Sequence, residues 1–225
     1  MNINWNNVEL VIFDVDGTLY DQSRLRKKMG RTLIGHYMFR PWSAYDLQII
    51  RVFRKERELM NFNPVKNIEN AQYELCAKKI KAPAENVKKV VEKWMYQAPL
   101  QYLQECSFPG VRDFFVSLKK QNIKIAIYSD YPAKEKLQAM GLEADMIVSS
   151  TDKEVDSLKP SPNGLTYIMK NFNFPVEKCL FIGDRDELDG ECARKIGMQY
   201  YILSNDDKRS DFYKALAKTV IKNKN

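Results

Sequence analysis

The sequence predicts an α/β protein whose core is a doubly wound, Rossmann-like parallel sheet. Short apolar runs rich in β-branched residues alternate with helical patterns, polar side chains directly follow several of these runs, and 44% of the 225 residues are hydrophobic. Strands that are buried on both faces of a parallel sheet have this composition, and their alternation with helices is typical of doubly wound folds. A chain of this length can form one large domain, or a core with one inserted module.

Five apolar runs are predicted as strands, at residues 8–13, 123–128, 146–148, 179–182 and 200–203. Helical patterns cover residues 111–121, 133–140, 162–171 and 189–196. Gly141 and Gly197 follow two of these patterns, where glycine commonly ends a helix because it accepts a positive φ. We expect the polar tail at residues 218–225 to fray.

The alternation of strands and helices is interrupted after the first strand. Four helices are predicted there, at residues 24–39, 43–60, 68–80 and 84–97, from apolar residues that recur every three or four positions. We therefore expect a core formed by residues 1–20 and 106–225, with a helical cap at residues 21–105. An insertion at this point would rise from the carboxyl edge of the sheet, where a lid over a ligand site would stand.

The net charge of +7 is concentrated in the predicted cap. Residues 20–105 contain 17 Lys and Arg against 9 Asp and Glu, whereas the rest of the chain is close to neutral. A positive surface can attract an anionic substrate or a nucleic acid. A solvated helical surface rich in lysine explains the same charge, and we favour this simpler interpretation.

Polar side chains stand at the carboxyl ends of three predicted strands, where ligands bind in sheets of this kind. Asp14 and Asp16 follow the first strand, Ser129 and Asp130 follow the second, and Asp184 follows the fourth. Two carboxylates as close as Asp14 and Asp16 would repel each other, and a hard cation such as Mg²⁺ would relieve that repulsion. The sequence therefore predicts a magnesium site at this edge.

The same residues suit the hydrolysis of a phosphate monoester. The Asp14 carboxylate can attack phosphorus and form an acyl phosphate, and Asp16 can turn towards the leaving group once the chain leaves the strand. Asp184 can supply a further metal oxygen, Ser129 can donate its hydroxyl group to phosphate, and Lys159 can supply a positive charge.

These positions resemble the four motifs of the haloacid dehalogenase-like superfamily, in the helical-cap phosphatase branch that includes phosphoglycolate phosphatases. The first motif is matched by Asp14-Val15-Asp16-Gly17-Thr18, and the second by a strand that ends at Ser129. The third is matched by Lys159-Pro160, and the fourth by Gly183-Asp184 followed by Asp189. In order, the four matches extend over residues 8–190.

The resemblance implies a role for each matched residue. Asp14 would be the nucleophile and a magnesium ligand, and Asp16 would be the general acid and base, with its backbone carbonyl as a further ligand. Asp184 would bind magnesium, and Asp189 would support the metal site, with Asp186 or Glu187 as alternatives. The expected contacts to the substrate are made by five residues: Gly17, Thr18, Ser129, Asp130 and Lys159.

Other chemistries remain open. Asp16 argues against carbon–halogen hydrolysis, because a leaving halide needs no acid. A phosphomutase of the beta-phosphoglucomutase-like branch would also have both acids, but that branch usually carries an apolar residue where Thr18 stands. A scaffold that binds nucleic acid or protein through the basic cap is the alternative without catalysis. We disfavour it because every catalytic position is filled.

The expected partner is a small phosphorylated metabolite, selected by cap side chains and by the loop at residues 19–22. We expect neither a membrane nor a nucleic acid as a partner. The first apolar run is too short to span a membrane and lacks the features of a signal peptide, so we expect a cytoplasmic protein. The four cysteines have no metal-ligand spacing and are expected to be reduced and buried.

Overall fold

A computed structural model describes residues 3–40, 45–61, 63 and 65–223. Its sheet has five parallel strands in the order β3-β2-β1-β4-β5. The strands are β1 (Leu10–Phe13), β2 (Lys124–Ser129), β3 (Met146–Ser149), β4 (Cys179–Gly183) and β5 (Gln199–Ile202). All five predicted strands are present, with ends that differ from the prediction by at most two residues. The predicted α/β fold class is confirmed.

The strand order reverses direction at β1. From β1 the chain proceeds to β2 and β3 on one side, and it then crosses to β4 and β5 on the other. Phe13, the last residue of β1, pairs with Ile127 of β2 and with Ile182 of β4. The residue that follows β1 therefore lies between the ends of two neighbouring strands, at the position where open sheets of this type bind ligands.

Between β1 and residue 106, the described part of the chain forms five α-helices. They are α1 (Gln22–Met38), α2 (Tyr45–Met60), α3 (Ile68–Ile80), α4 (Ala84–Val91), which continues as a π-helical stretch at Glu92–Gln97, and α5 (Leu100–Cys106). Helix α5 was not predicted, and the predicted start of the second helix at residue 43 lies outside the described residues. Helices α2, α3 and α4 share a small apolar core that includes Ile49, Phe53, Tyr73, Cys76 and Val91.

The two chain segments that enter and leave these five helices run side by side. Tyr20 pairs with Ser107 in an antiparallel bridge, and the Asp21 backbone N–H donates a hydrogen bond to the Cys106 carbonyl at 2.9 Å. These two adjacent segments lie at the predicted boundaries of the insertion, so we retain residues 21–105 as a proposed cap domain.

Helices cover both faces of the sheet. They are α6 (Val111–Lys120), α7 (Lys134–Met140), α8 (Asn163–Phe172), α9 (Glu191–Arg194), α10 (Asn205–Arg209) and α11 (Phe212–Asn223). Alternate strand residues face opposite ways, so Val11 and Phe13 pack in the cluster with α6, α7 and α11, whereas Leu10 and Ile12 pack in the cluster with α8 and α9. The sheet is therefore buried on both faces, as the apolar composition of its strands predicts.

The C-terminal segment differs from the prediction. It forms helix α11 as far as Asn223 instead of fraying from residue 218, while residues 224 and 225 lie outside the described part. Apolar residues at helical spacing explain the difference: Tyr213, Leu216 and Val220 are fully buried in the cluster that contains α6. The segment from residue 218 therefore belongs to a helix with one buried face.

Two further expectations concern the whole chain. All four cysteines are buried and free, as predicted. In the described ranges, no helix combines the length and the apolar character that crossing a membrane requires.

Candidate active site

Asp14 lies at the point where the strand order reverses. Its backbone N–H continues the ladder of β1 by donating to the Ile182 carbonyl at 2.9 Å. The neighbouring strands β2 and β4 end at Ser129 and Gly183, so Ser129 and Asp184 are placed on either side of Asp14. Three residues far apart in the sequence are thus brought together because parallel strands end at the same edge.

Lys159 is buried beneath these residues. Its Nζ donates to Asp14 Oδ1 at 2.6 Å and to Asp189 Oδ1 at 2.7 Å, and only 2% of its surface is exposed. Burial alone would lower the pKa of Lys159, but the charges of Asp14 and Asp189 outweigh it and raise the pKa well above its ordinary value. Lys159 therefore provides a permanent positive charge at the floor of the site.

Carboxylate oxygens of Asp14, Asp184 and Asp189 lie within 4.8 Å of one another. Burial raises the pKa of Asp14 to about 8; Lys159 opposes this shift, and Asp189 and Asp184 add to it. Burial also raises the pKa of Asp184, although Lys208 donates to its Oδ2 at 2.8 Å. A set of ligands made only of oxygen atoms, with mutual repulsion to be relieved, fits magnesium.

The structure distinguishes between the three acids that were candidates for supporting this cluster. Oδ2 of Asp189 accepts from the backbone N–H groups of Asp184 and Arg185, at 3.1 and 3.0 Å. The two alternatives pair elsewhere: Asp186 contacts Arg194 at 2.7 Å, and Glu187 contacts Arg185 at 2.9 Å. Of the three, Asp189 is the one in the carboxylate cluster.

Asp16 forms an ion pair with Lys136. The Lys136 ammonium group contacts both Asp16 carboxylate oxygens, at 2.6 and 2.7 Å, and the Tyr20 hydroxyl group also donates to Asp16. Burial works towards a higher pKa, but Lys136 and Tyr20 outweigh it and lower the pKa of Asp16 below its ordinary value. In this arrangement the Asp16 carboxylate is ionised.

The sequence motifs do not include Lys136. Its only local signal is its place on α7, because it lies on the buried face with Ala133, Leu137 and Met140. A lysine on such a face needs an anionic partner, but nothing in the sequence identifies that partner as Asp16.

Gly17 and Thr18 shape the loop after β1. Gly17 has a φ of +98°, and a Cβ atom there would collide with the Asp184 carboxylate, so only glycine fits. The Thr18 hydroxyl group donates to Asp14 Oδ2 at 2.9 Å, and the Tyr213 hydroxyl group donates to the Thr18 carbonyl at 2.6 Å. These contacts favour a role in positioning Asp14 over the predicted contact of Gly17 and Thr18 with substrate.

Two other residues predicted to bind substrate also have partners in the protein. Oδ1 of Asp130 accepts from the Ser150 hydroxyl group at 2.6 Å and from the Lys159 backbone N–H at 3.2 Å. This geometry favours support of the Lys159 loop over the predicted contact of Asp130 with an anionic substrate. Ser129 is fully buried, and its Oγ accepts from the Tyr131 N–H at 3.3 Å, so its contact with a phosphoryl group stays a prediction.

A cavity of about 420 Å³ opens above these residues, between the sheet edge and the helices that follow β1. Its floor includes Asp14, Asp16 and Lys159. The side formed by the helices is partly apolar, with Leu25 and Met29 of α1. The volume lies within the range of sites for small molecules.

Helix α2 is attached to the loop after β2 by Arg57. This guanidinium group donates to Gln72 Oε1 and to the Asp130 carbonyl, and it lies 4.5 Å from the centre of the Tyr131 ring. Arg57 is 3% exposed. It therefore fixes the roof of the cavity against the sheet edge.

The fold and the site define an α/β enzyme with a buried aspartate cluster that suits a divalent cation. Residues 11–203 match the family model described as "Haloacid dehalogenase-like hydrolase". Because the match extends over most of the chain, the protein belongs to the haloacid dehalogenase-like hydrolase family, as the motif resemblance predicts.

Relatives of the chain include phosphatases. The phosphorylated carbohydrates phosphatase of Thermotoga maritima is 28% identical over 195 residues, which make up 85% of this chain and 83% of that protein. The phosphoglycolate phosphatase of Pseudomonas savastanoi pv. phaseolicola is 23% identical over 207 residues, or 87% of this chain and 69% of that protein. The prediction of a hydrolase with phosphatase relatives is confirmed.

Solved structures share the fold. The structure of Bacillus subtilis YfnB bound to magnesium has a TM-score of 0.62 against this chain at 18% identity. The superposition covers 88% of this chain and 89% of the YfnB chain.

Proposed function

We propose that the protein is a magnesium-dependent phosphomonoester hydrolase that forms an aspartyl phosphate on Asp14. The observation that carries the proposal is the position of Asp14, which is on the cavity floor, in the carboxylate cluster, and 2.6 Å from the Lys159 ammonium group. The names of the relatives, which act on phosphorylated carbohydrates or phosphoglycolate, support a small phosphorylated metabolite as the substrate.

Asp14 and Asp184 would hold the magnesium ion, together with the Asp16 backbone carbonyl, and Asp189 would orient Lys159 and the loop that carries Asp184. The bound cation would supply positive charge to the phosphoryl oxygens. Lys159 adds a second positive charge, and we expect the Ser129 hydroxyl group to donate to the same oxygens.

In the first step, a carboxylate oxygen of Asp14 attacks phosphorus and the bond to the leaving oxygen breaks. Asp16, in its protonated form, donates a proton to that oxygen. In the second step, Asp16 accepts a proton from a water molecule that attacks the acyl phosphate, which releases phosphate and restores the Asp14 carboxylate. The ionised Asp16 beside Lys136 and Tyr20 corresponds to the form required for this second step.

The proposal is tested by measuring phosphate release from an aryl phosphate, with magnesium and with a chelator. We expect release only with magnesium, and none from Asp14→Asn, because an amide cannot act as the nucleophile. Asp189→Asn should weaken magnesium binding by roughly 10- to 100-fold. Asp186→Asn is the matched control, since this exposed acid pairs with Arg194 instead. Activity of Asp14→Asn equal to that of the wild type would rule out the proposed nucleophile.

Phosphoryl transfer within a sugar, the enzymatic alternative left open by the sequence, uses the same aspartyl phosphate. It differs in that a second sugar hydroxyl group, instead of water, takes up the phosphoryl group. Incubation with sugar phosphates distinguishes the two reactions, because a mutase interconverts the isomers without releasing inorganic phosphate. We propose hydrolysis as the main reaction.

A further inference from the structure

The cavity above the candidate site is lined by four arginines, and three of them have partners. Arg57 donates to Gln72 and to the Asp130 carbonyl. Arg185 pairs with Glu187 at 2.9 Å and with Glu58 at 3.2 Å. The third, Arg26, donates to the neutral Gln22 side chain at 2.8 Å.

Arg54 is the fourth arginine that lines the cavity. It projects from α2 and lines the cavity, and in the described ranges of the chain its guanidinium group has neither a hydrogen bond nor an ion pair. Arg54 remains exposed to solvent, and partial desolvation together with the charge of Arg26 lowers its pKa, so two positive groups face the same space. Two acids of the cavity lining are already paired, because Asp16 contacts Lys136 and Glu58 contacts Arg185.

An arginine in this position suits an anion that enters with the substrate. Its planar guanidinium group can form two parallel hydrogen bonds to a carboxylate or phosphate group, and such charged pairs are stronger than hydrogen bonds between neutral groups. The scissile phosphoryl group does not need Arg54, since Lys159 and the carboxylate cluster lie at the cavity floor, in contact with Asp14.

We infer that Arg54, aided by Arg26, binds a second anionic group of the substrate. The substrate class is then a small phosphomonoester that also carries a carboxylate or a second phosphate group. This inference rests on the proposed function, because it assumes that the first phosphoryl group lies over Asp14. The volume of about 420 Å³ limits the substrate to the size of a small metabolite.

Three compounds of matched chain length test the inference: propyl phosphate, its analogue with a terminal carboxylate, and the corresponding bisphosphate. Each is assayed with magnesium and the full chain as wild type, Arg54→Gln and Arg54→Lys. The matched control is Lys55→Gln, which removes a positive charge from the next position on α2, outside the cavity lining.

We expect the wild type to prefer the two compounds with a second anion. Arg54→Gln should lower kcat/KM for those compounds by roughly 10- to 100-fold, the effect of losing hydrogen bonds between charged groups, while propyl phosphate is nearly unaffected. Arg54→Lys should retain part of the preference, and Lys55→Gln all of it. The compound that loses more in Arg54→Gln identifies the second group as carboxylate or phosphate.

Two results would overturn the inference: no preference of the wild type for a second anion, or an equal loss on all three compounds in Arg54→Gln. Failure of the proposed function has a different signature, namely no release of phosphate from any of the three compounds by the wild type. In that case, calorimetric titration of the bisphosphate still tests the subsite. Equal affinity of wild type and Arg54→Gln would then contradict it.

Discussion

Lys136 controls the charge of Asp16 although 120 residues separate them. Both Asp16 carboxylate oxygens contact the ammonium group of Lys136, whose side chain is 9% exposed, and the Tyr20 hydroxyl group donates to one of them. A buried ion pair of this kind lowers the pKa of the acid because the charged form is paired. The Lys136 ammonium group therefore favours the ionised form of Asp16, the residue proposed as general acid and base.

Replacement of Lys136 by Met should shift the pH dependence of hydrolysis. Without the ammonium group, burial raises the pKa of Asp16 and only Tyr20 and Lys159 still oppose it. The acidic limb of the kcat profile, which reports the ionised Asp16 needed in the second step, therefore moves to higher pH. Below the raised pKa, kcat should fall by about tenfold per pH unit, because the ionised fraction of Asp16 that the second step requires falls by that factor. The measurement is kcat against pH with magnesium present.

Lys134→Met provides the control for this prediction, because Lys134 is exposed on the same helix. Its profile should match that of the wild type. An acidic limb that stays in place in Lys136→Met would mean that Lys136 does not set the charge of Asp16 during turnover.

Helix α2 packs against α3 on one face and contributes side chains to the cavity and to the loop after β2 on another. Phe53 is fully buried in the small core with α3, while Arg54 and Glu58 line the cavity and Arg57 reaches the loop after β2. Helix α11 has a comparable double role, because it covers α6 and its Tyr213 hydroxyl group holds the Thr18 carbonyl in the loop that follows Asp14. Packing of these helices and positioning of the site are therefore coupled.

The contribution of α11 to stability can be measured directly. Leu216→Ala removes a fully buried side chain from the cluster shared with α6, and the resulting cavity should lower the free energy of unfolding by about 2–5 kcal/mol. Lys218→Ala, at an exposed position of the same helix, should have little effect. Urea unfolding checks both. Equal, small effects would indicate that the C-terminal segment frays, as its polar sequence suggested.

The fold brings three carboxylates and one lysine together in one site. Without a cation, the desolvation and mutual repulsion of the carboxylates lower the stability of the folded protein. Burial raises the pKa of Asp14 to about 8, far above its ordinary value of 3.8. The folded protein thus binds a proton that the unfolded chain releases at lower pH. Stability from this group is complete below about pH 4 and is lost as the pH rises towards 8.

In the absence of magnesium, we therefore expect the Tm of the wild type to fall more steeply between pH 4 and pH 8 than the Tm of Asp14→Asn. The amide has no proton to lose, so the difference between the two curves isolates Asp14. Magnesium at 100 times its Kd should stabilise the wild type by about 2.7 kcal/mol and Asp14→Asn by less. Parallel curves without magnesium would contradict the raised pKa of Asp14.

Local sequence information is sufficient for the sheet and for most of the candidate site. A buried strand needs only a short apolar run, and parallel strands bring their carboxyl ends to one edge, so Asp14, Ser129 and Asp184 were expected together. Helix α11 shows a limit of this reasoning. The helical spacing of Tyr213, Leu216 and Val220 is present in the sequence, but the surface against which these residues are buried is known only from the packing of α11 on α6.

Contacts between distant positions required the three-dimensional structure. Motif spacing favoured Asp189 and left Asp186 and Glu187 as alternatives, and the contacts of Asp189 with Lys159 and the loop backbone distinguish it from them. The pairing of Asp16 with Lys136, and the lack of a hydrogen-bonded or ionic partner for Arg54 among the described residues, likewise depend on how the helices after β1 and β2 pack over the sheet edge. The physical reason is that periodicity reports the face on which a residue lies, whereas the charge that it meets there is set by chain segments many residues away.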